Sequence, residues 1–351
     1  MNNNNLNYHD KLNRENVEKL RGILDTLPKF CKAYFRGMND TISSRTKIAY
    51  AYDLRVFFEY IMKNNSYCRE YKMTELPMEV LDMIGREDIE EYLEYLSLYK
   101  NGENEEIVND ERGKSRKLAS LRSFYNYYFR NELISTNPPA LVPMPKLHEK
   151  EIIRLEPDEV ADLLDRVEAG TDLTKKQLNY HNKTVVRDTA LLTLLLGTGI
   201  RVSECVGLDI DDIDWKNDRI KVRRKGGYED VVYFGNEVHD AMASYMEERK
   251  RIIPVDGHED AFFLSLQNKR ISVRAVENLV KKYASAVSLK KITPHKLRST
   301  FGTNLYQETG DIYLVADVLG HKDVNTTRKH YAAMKDEHKR RAARSIKLRE
   351  D

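Results

Sequence analysis

Six side chains in the second half of the chain are of types suited to breaking a phosphodiester: Arg201, Lys225, His295, Arg298, His321 and Tyr331. They fall in four local patterns. Gly197-Thr-Gly-Ile-Arg-Val-Ser-Glu204 sets Arg201 at a helix start after a tight glycine turn, and Lys225 stands at the tip of a hairpin signal around Gly226-Gly227. Thr293-Pro-His-Lys-Leu-Arg298 spaces His295 and Arg298 three apart on one helical face, and Leu319-Gly-His321 precedes Tyr331 by ten residues. Each alone has an ordinary explanation. Arg201 could cap a helix or pair with Glu204, a hairpin lysine is usually solvated, and His-x-x-Arg is commonly just a polar helix face. Tyr331 is one of 21 tyrosines, most of which must pack.

Taken together, they meet the needs of phosphoryl transfer. Two arginines can fork onto the non-bridging oxygens of one phosphate and stabilise its trigonal-bipyramidal charge. Histidines exchange protons near neutral pH. A lysine can protonate a departing 5′-oxygen. A tyrosine, with a free pKa of about 10, becomes phenolate-like only in a cationic surround. A phosphotyrosyl bond would keep the energy of the broken phosphodiester, so rejoining would need no ATP.

These residues require elements to hold them, and the pattern is largely helical. Residues 1–16 are polar and asparagine-rich and read as a flexible lead. Helical spacing follows through Leu20, Ile23 and Leu27, with Pro28 as a break, then over Thr41 to Met62 with Ser43 or Ser44 as N-cap. Arg86 to Tyr99 and Gly113 to Asn131 read as further helices, the latter exposing Lys114, Arg116, Lys117 and Arg122. Prolines at the ends of residues 143–157, with charges between them, mark an interdomain linker after a domain spanning 17–142. The second domain, 158–351, carries helices over Val185 to Leu196, Glu237 to Lys250, Val273 to Ser285, Leu297 to Gln307, Ile312 to Leu319 and Val324 to Tyr331. Ile220 to Arg224 and Asp230 to Phe234 alternate as a hairpin.

The ordered run GTGIRVSE, RKGG, TPHKLR, LGH, then tyrosine resembles the catalytic boxes of the tyrosine recombinases and integrases. The stretch SSRTKIAYAYDLRVFFEY resembles the opening of that family's core-binding domain, so the likeness runs from about Val17 onward. Within the family it is most similar to the Xer branch, especially the single-protein, XerS-like recombinases. The resemblance implies a mainly α fold: a helical SAM-like core-binding domain, then an α-rich catalytic domain with a small antiparallel β-sheet. It implies Tyr331 as nucleophile, Lys225 as general acid, and His295 as proton partner of the tyrosine. Arg201, Arg298 and His321 complete the set, with Glu204 as supporting acid. Three departures stand out. Tyr228-Glu-Asp230 replaces a common Lys-Glu-Arg, Ser299 replaces a frequent histidine, and the His321–Tyr331 interval is one residue longer than in many Xer proteins. Tyr313 is the other nearby tyrosine and reads as core.

Net charge is only +2, so no overall basic excess announces a nucleic-acid partner. Local charge is uneven: Lys221 to Lys225 and Lys339 to Arg344 are basic, while Asp209 to Asp214 is acidic. Arg45, Lys114, Arg116 and Lys117 are the DNA-facing candidates, with solvated helix charge as the competing explanation. Cys31, Cys68 and Cys205 are far apart and odd in number, which argues against disulfides and metal-ligand spacing. No secretory h-region and no spanning apolar run is present, so a cytoplasmic location without membrane attachment is expected. No cofactor is expected. The family resemblance implies double-stranded DNA with a short inverted-repeat site as partner, a homotetramer on two duplexes, and a DNA translocase as a candidate regulator. The tail KRRAARSIKLRED reads as a C-terminal helix that docks on a neighbouring protomer in such relatives. Three functions stay in competition: a recombinase (for chromosome dimers, mobile-element integration or phase variation), a type IB topoisomerase, or a non-catalytic DNA-binding protein.

Overall fold

Capping side chains set where the helices begin. The Ser43 hydroxyl accepts from the Thr46 backbone at 3.2 Å, Asp110 from Gly113 at 3.0 Å and Asn7 from Asp10 at 2.9 Å. Each bond satisfies a donor that a first helical turn leaves orphaned. The computed structural model describes residues 7–38, 42–100, 104–148, 153–224, 226–288, 290–321 and 324. The chain divides into two units, Met1–Lys150 and Glu151–Asp351, which part inside the stretch read as a linker.

The first unit comprises α1 (Tyr8–Leu24), α2 (Cys31–Gly37), α3 (Ser44–Asn64), α4 (Val80–Met83), α5 (Arg86–Tyr95), α6 (Glu111–Arg130) and α7 (Pro138–Leu141). A two-residue hairpin, β1 (Tyr99–Lys100) with β2 (Glu106–Ile107), links α5 to α6. The lead expected to be flexible is helical from Tyr8, because Asn7 caps it and Leu20 and Ile23 anchor its far end in the core. On α3, Ile48, Ala51, Leu54, Phe57, Phe58 and Ile61 form the inward row. On α6 the row is Leu118, Leu121, Phe124, Tyr125 and Tyr128, with Phe124 edge-on to Tyr34 at 5.1 Å and to Tyr128 at 5.0 Å. Each fully buried side chain of this size contributes roughly 2 kcal/mol. One expectation for α6 is corrected: Lys117 is not exposed. Its side chain is only 7% exposed, and Nζ donates to Asn109 at 3.1 Å and lies 3.7 Å from the buried Asp53.

The second unit runs α8 (Pro157–Ala169), α9 (Lys175–His181), α10 (Val185–Thr198) and α11 (Val202–Gly207). The sheet follows, β3 (Ile213–Asp214), β4 (Arg219–Arg223) and β5 (Glu229–Tyr233), then α12 (Asn236–Arg249), α13 (Val273–Val287), α14 (Pro294–Thr309) and α15 (Ile312–Val318). α10 is buried along most of its length and packs against α8, α12 and α14, so the unit is built around it. The sheet is antiparallel in the order β3-β4-β5, with Lys221 opposite Val231 and Ile220 opposite Val232. β3 is a strand that sequence patterning did not resolve, since two residues show no alternation. Tyr313 is also corrected: it is 70% exposed, whereas the buried row of α15 is Val315, Ala316 and the following Leu319. The helix expected over Val324 to Tyr331 lies outside the described residues apart from Val324, and the C-terminal tail lies outside them entirely. Among the described residues, no helix is long and apolar enough to cross a membrane.

Candidate active site

The Gly197–Glu204 segment folds as its glycines require. α10 ends at Thr198, and Gly199 takes φ +62°, the left-handed conformation that terminates helices. A side chain there would also collide, since an added Cβ would lie 2.3 Å from Phe301 Cδ1. Arg201 then caps α11, and Glu204 reaches back to accept from the Arg201 backbone N–H at 2.8 Å and from its Nη1 at 2.7 Å.

Leu319-Gly-His321 closes α15 in a comparable way. The His321 N–H donates to Ala316 O at 2.9 Å and the Gly320 N–H to Asp317 O at 2.7 Å, the paired bonds of a Schellman motif, with Gly320 at φ +59°. Three carbonyls at this terminus each receive a different guanidinium. Arg224 Nη2 donates to Val318 O at 2.9 Å, Arg298 Nη2 donates to Leu319 O, and Arg201 Nη2 donates to Gly320 O at 3.4 Å. A helix end left without partners for its last carbonyls is thus satisfied by cations from three other elements. Arg298 also donates through Nη1 to Gly199 O at 2.7 Å, so one side chain ties the two glycine turns together.

This arrangement brings together Arg201, Glu204, Arg298 and His321. α14 adds His295, exposed on the helix one turn before the buried Arg298. The Arg201 side chain is 30% exposed, which leaves it open to an anion in solvent, while Glu204 is 2% exposed. Lys225 and Tyr331 lie outside the described residues. Of the four DNA-facing candidates, Arg45 is exposed on the first turn of α3, and Lys114 donates to Ser97 at 2.6 Å. Arg116, about half exposed, pairs with Asp53. Lys117 is buried, and burial lowers its pKa against the pull of Asp53; burial likewise raises that of Asp53 against Arg116 and Lys117. Lys117 therefore belongs to the interior of its unit.

Sequence reasoning missed Arg224. Its side chain is 1% exposed, donating through Nη1 to Glu204 at 3.2 Å and through Nε to Asp230 at 2.9 Å. The signal was present in the strand alternation: Ile220 and Val222 face inward, and the same parity carries Arg224 inward. At one of the departures from the family pattern, Asp230 serves as counterion to this buried guanidinium. Among the described residues, no group of three or more His, Cys, Asp or Glu side chains could hold a metal ion.

The arrangement has relatives. The phage integrase family matches residues 154–338. The tyrosine recombinase XerC of Caldanaerobacter subterraneus subsp. tengcongensis is 35% identical over 294 residues, covering 81% of this chain and 77% of that protein. The tyrosine recombinase XerS of Streptococcus agalactiae is 28% identical over 353 residues, covering 92% of this chain and 97% of that one. The XerH recombinase bound to palindromic difH, in a post-cleavage complex, shares the fold at a TM-score of 0.67 and 18% identity, covering 97% of this chain and 90% of that chain. The chain belongs to the phage integrase family and is a tyrosine recombinase.

Proposed function

We propose that this chain resolves chromosome dimers in the manner of Xer proteins, cutting each DNA strand through a 3′-phosphotyrosyl bond at Tyr331. Exchange would pass through a Holliday junction between two copies of a short inverted-repeat site held by four protomers. The observation that carries the reading is the convergence of Arg201 and Arg298 on the α15 terminus, with Glu204 bracing Arg201. Two guanidiniums held by neighbouring carbonyls are pre-oriented, so little reorganisation is needed when charge builds on a phosphate. His295 and His321 would add proton-exchanging groups, and Lys225 would donate to the leaving 5′-oxygen. Arg45, Lys114 and Arg116 would contact the DNA backbone, and such contacts fix register without reading sequence. The enzyme would work in the cytoplasm, with a DNA translocase as the class of partner that could time exchange.

The test is covalent capture on randomly nicked host DNA. Wild type and Tyr331→Phe are incubated with it and denatured, and the fragments still attached to protein are sequenced. The expected outcome is adducts from the wild type alone, concentrated at one inverted repeat near the replication terminus. A repeat at the ends of an inserted element would replace dimer resolution with integration. Scattered adducts would identify a topoisomerase, and binding without any adduct would remove the catalytic assignment.

A further inference from the structure

We infer that Arg224 is a positioning residue for strand cleavage, acting on the phosphate through Glu204 and Arg201 and through the turn that carries His321. The inference rests on the reading of Arg201 as a phosphate ligand. Three segments far apart in sequence meet on this one guanidinium. Nη1 reaches Glu204 on α11, Nε reaches Asp230 at the start of β5, and Nη2 reaches Val318 O at the end of α15. Its backbone N–H donates to Tyr228 O at 2.9 Å and its carbonyl accepts from Gly227 at 3.0 Å, so the same residue also closes the hairpin turn.

The charges form a chain, Arg201–Glu204–Arg224–Asp230, with two cations and two anions. Arg224 and Glu204 are withdrawn from solvent, where an uncompensated charge would be costly and partners must stay in register. Glu204 bonds Arg201 through both carboxylate oxygens, and Arg224 shares Oε2. Removing Arg224 would therefore take away one of the two bonds to Oε2 and loosen the carboxylate that orients Arg201. Gly320 enforces the packing from the other side, since a Cβ there would lie 2.8 Å from Arg224 Nε. Arg224 thus sets the direction of Arg201 without itself facing solvent or substrate.

The experiment measures the single-turnover rate of covalent adduct formation and the DNA affinity for wild type, Arg224→Gln, Glu204→Gln and the double variant. Arg224→Gln is expected to lose about 10- to 100-fold in adduct rate, the scale of a small misplacement of a catalytic group. Its DNA affinity should stay within about threefold, and the double variant should be no slower than the slower single one, the signature of groups acting as a unit. A scissile methylphosphonate, which lacks one negative oxygen, should shrink the Arg224→Gln defect, because less charge then depends on Arg201. A general structural loss would leave that defect unchanged. Additive single effects, a defect undiminished on the neutral substrate, or a loss confined to DNA affinity would each overturn the assignment. If Arg224→Gln fails to fold, Arg224→Lys is read instead, since it keeps the charge but not the three-way fork. A fall of about fivefold or more at unchanged affinity supports positioning, and a wild-type rate overturns it. If wild type itself forms no adduct, the recombinase reading fails rather than the role of Arg224.

Discussion

At the scale of single residues, Gly320 is an exacting position near the site. Two demands fall on it: a left-handed backbone at φ +59°, and close contact with the Arg224 side chain. The first is a local demand that a glycine at such a helix end meets without strain and that costs about 1–2 kcal/mol for a residue with a Cβ. The second couples to the guanidinium that holds Glu204. Gly310, which ends α14 at φ +66°, shares the first demand. Gly310→Ala is therefore expected to lose about 1–2 kcal/mol in thermal unfolding, and Gly320→Ala at least as much. Only Gly320→Ala should also slow adduct formation, by about tenfold or more, as Arg224 is pushed off Val318 O. Equal adduct rates for the two variants would mean that the contact at Gly320 has no bearing on the chemistry.

At the scale of elements, α3 and α6 are joined by more than their apolar rows. Asp53 on α3, 2% exposed, faces both Arg116 and Lys117 on α6. Breaking such a buried cluster from one side leaves an ammonium without its counterion. Asp53→Leu should accordingly cost about 3 kcal/mol in urea unfolding followed by circular dichroism, and adding Lys117→Met should recover part of the loss. Strictly additive costs would show that the two charges are not coupled. Both helices were legible in the sequence because their apolar residues recur at helical spacing and Ser43 announces a start. α1 was legible only in its second half, at Leu20 and Ile23, since its asparagine-rich beginning read as a flexible lead. The direction of a charge was harder to read than the presence of a helix. Lys117 shares a face with Leu121 and Phe124 at four- and seven-residue spacing, yet its type alone suggested solvent. Tyr313 failed in the opposite sense, on a helix of seven residues too short to show its phase. At the site, the motifs singled out Arg201, Glu204, His295, Arg298 and His321 as candidates, because Gly197, Gly199, Pro294 and Gly320 punctuate the segments that carry them. Arg224 escaped because it interacts with three segments that only the tertiary fold brings near.

At the scale of the whole molecule, the two units have separate hydrophobic cores and a net charge of +2 between them. A chain so nearly neutral gains little from long-range attraction to DNA, so affinity must come from local phosphate contacts. If each unit supplies some, the linker converts the second binding event into an intramolecular one, which can add a factor of about 10²–10⁴ without any new contact. Residues 1–150 and 151–351 prepared separately should each fold, and each should bind a site-bearing duplex weakly. The intact chain is expected to bind at least about 100-fold more tightly than the better fragment, and an equimolar mixture should not restore that affinity. Salt dependence separates the contributions. Each neutralised phosphate releases counterions, so the slope of log affinity against log salt for the intact chain should approach the sum of the fragments' slopes. Should the slope of 151–351 alone equal that of the intact chain, the first unit makes no phosphate contacts. Arg45, Lys114 and Arg116 would then be solvated helix charge, and DNA recognition would belong to the second unit.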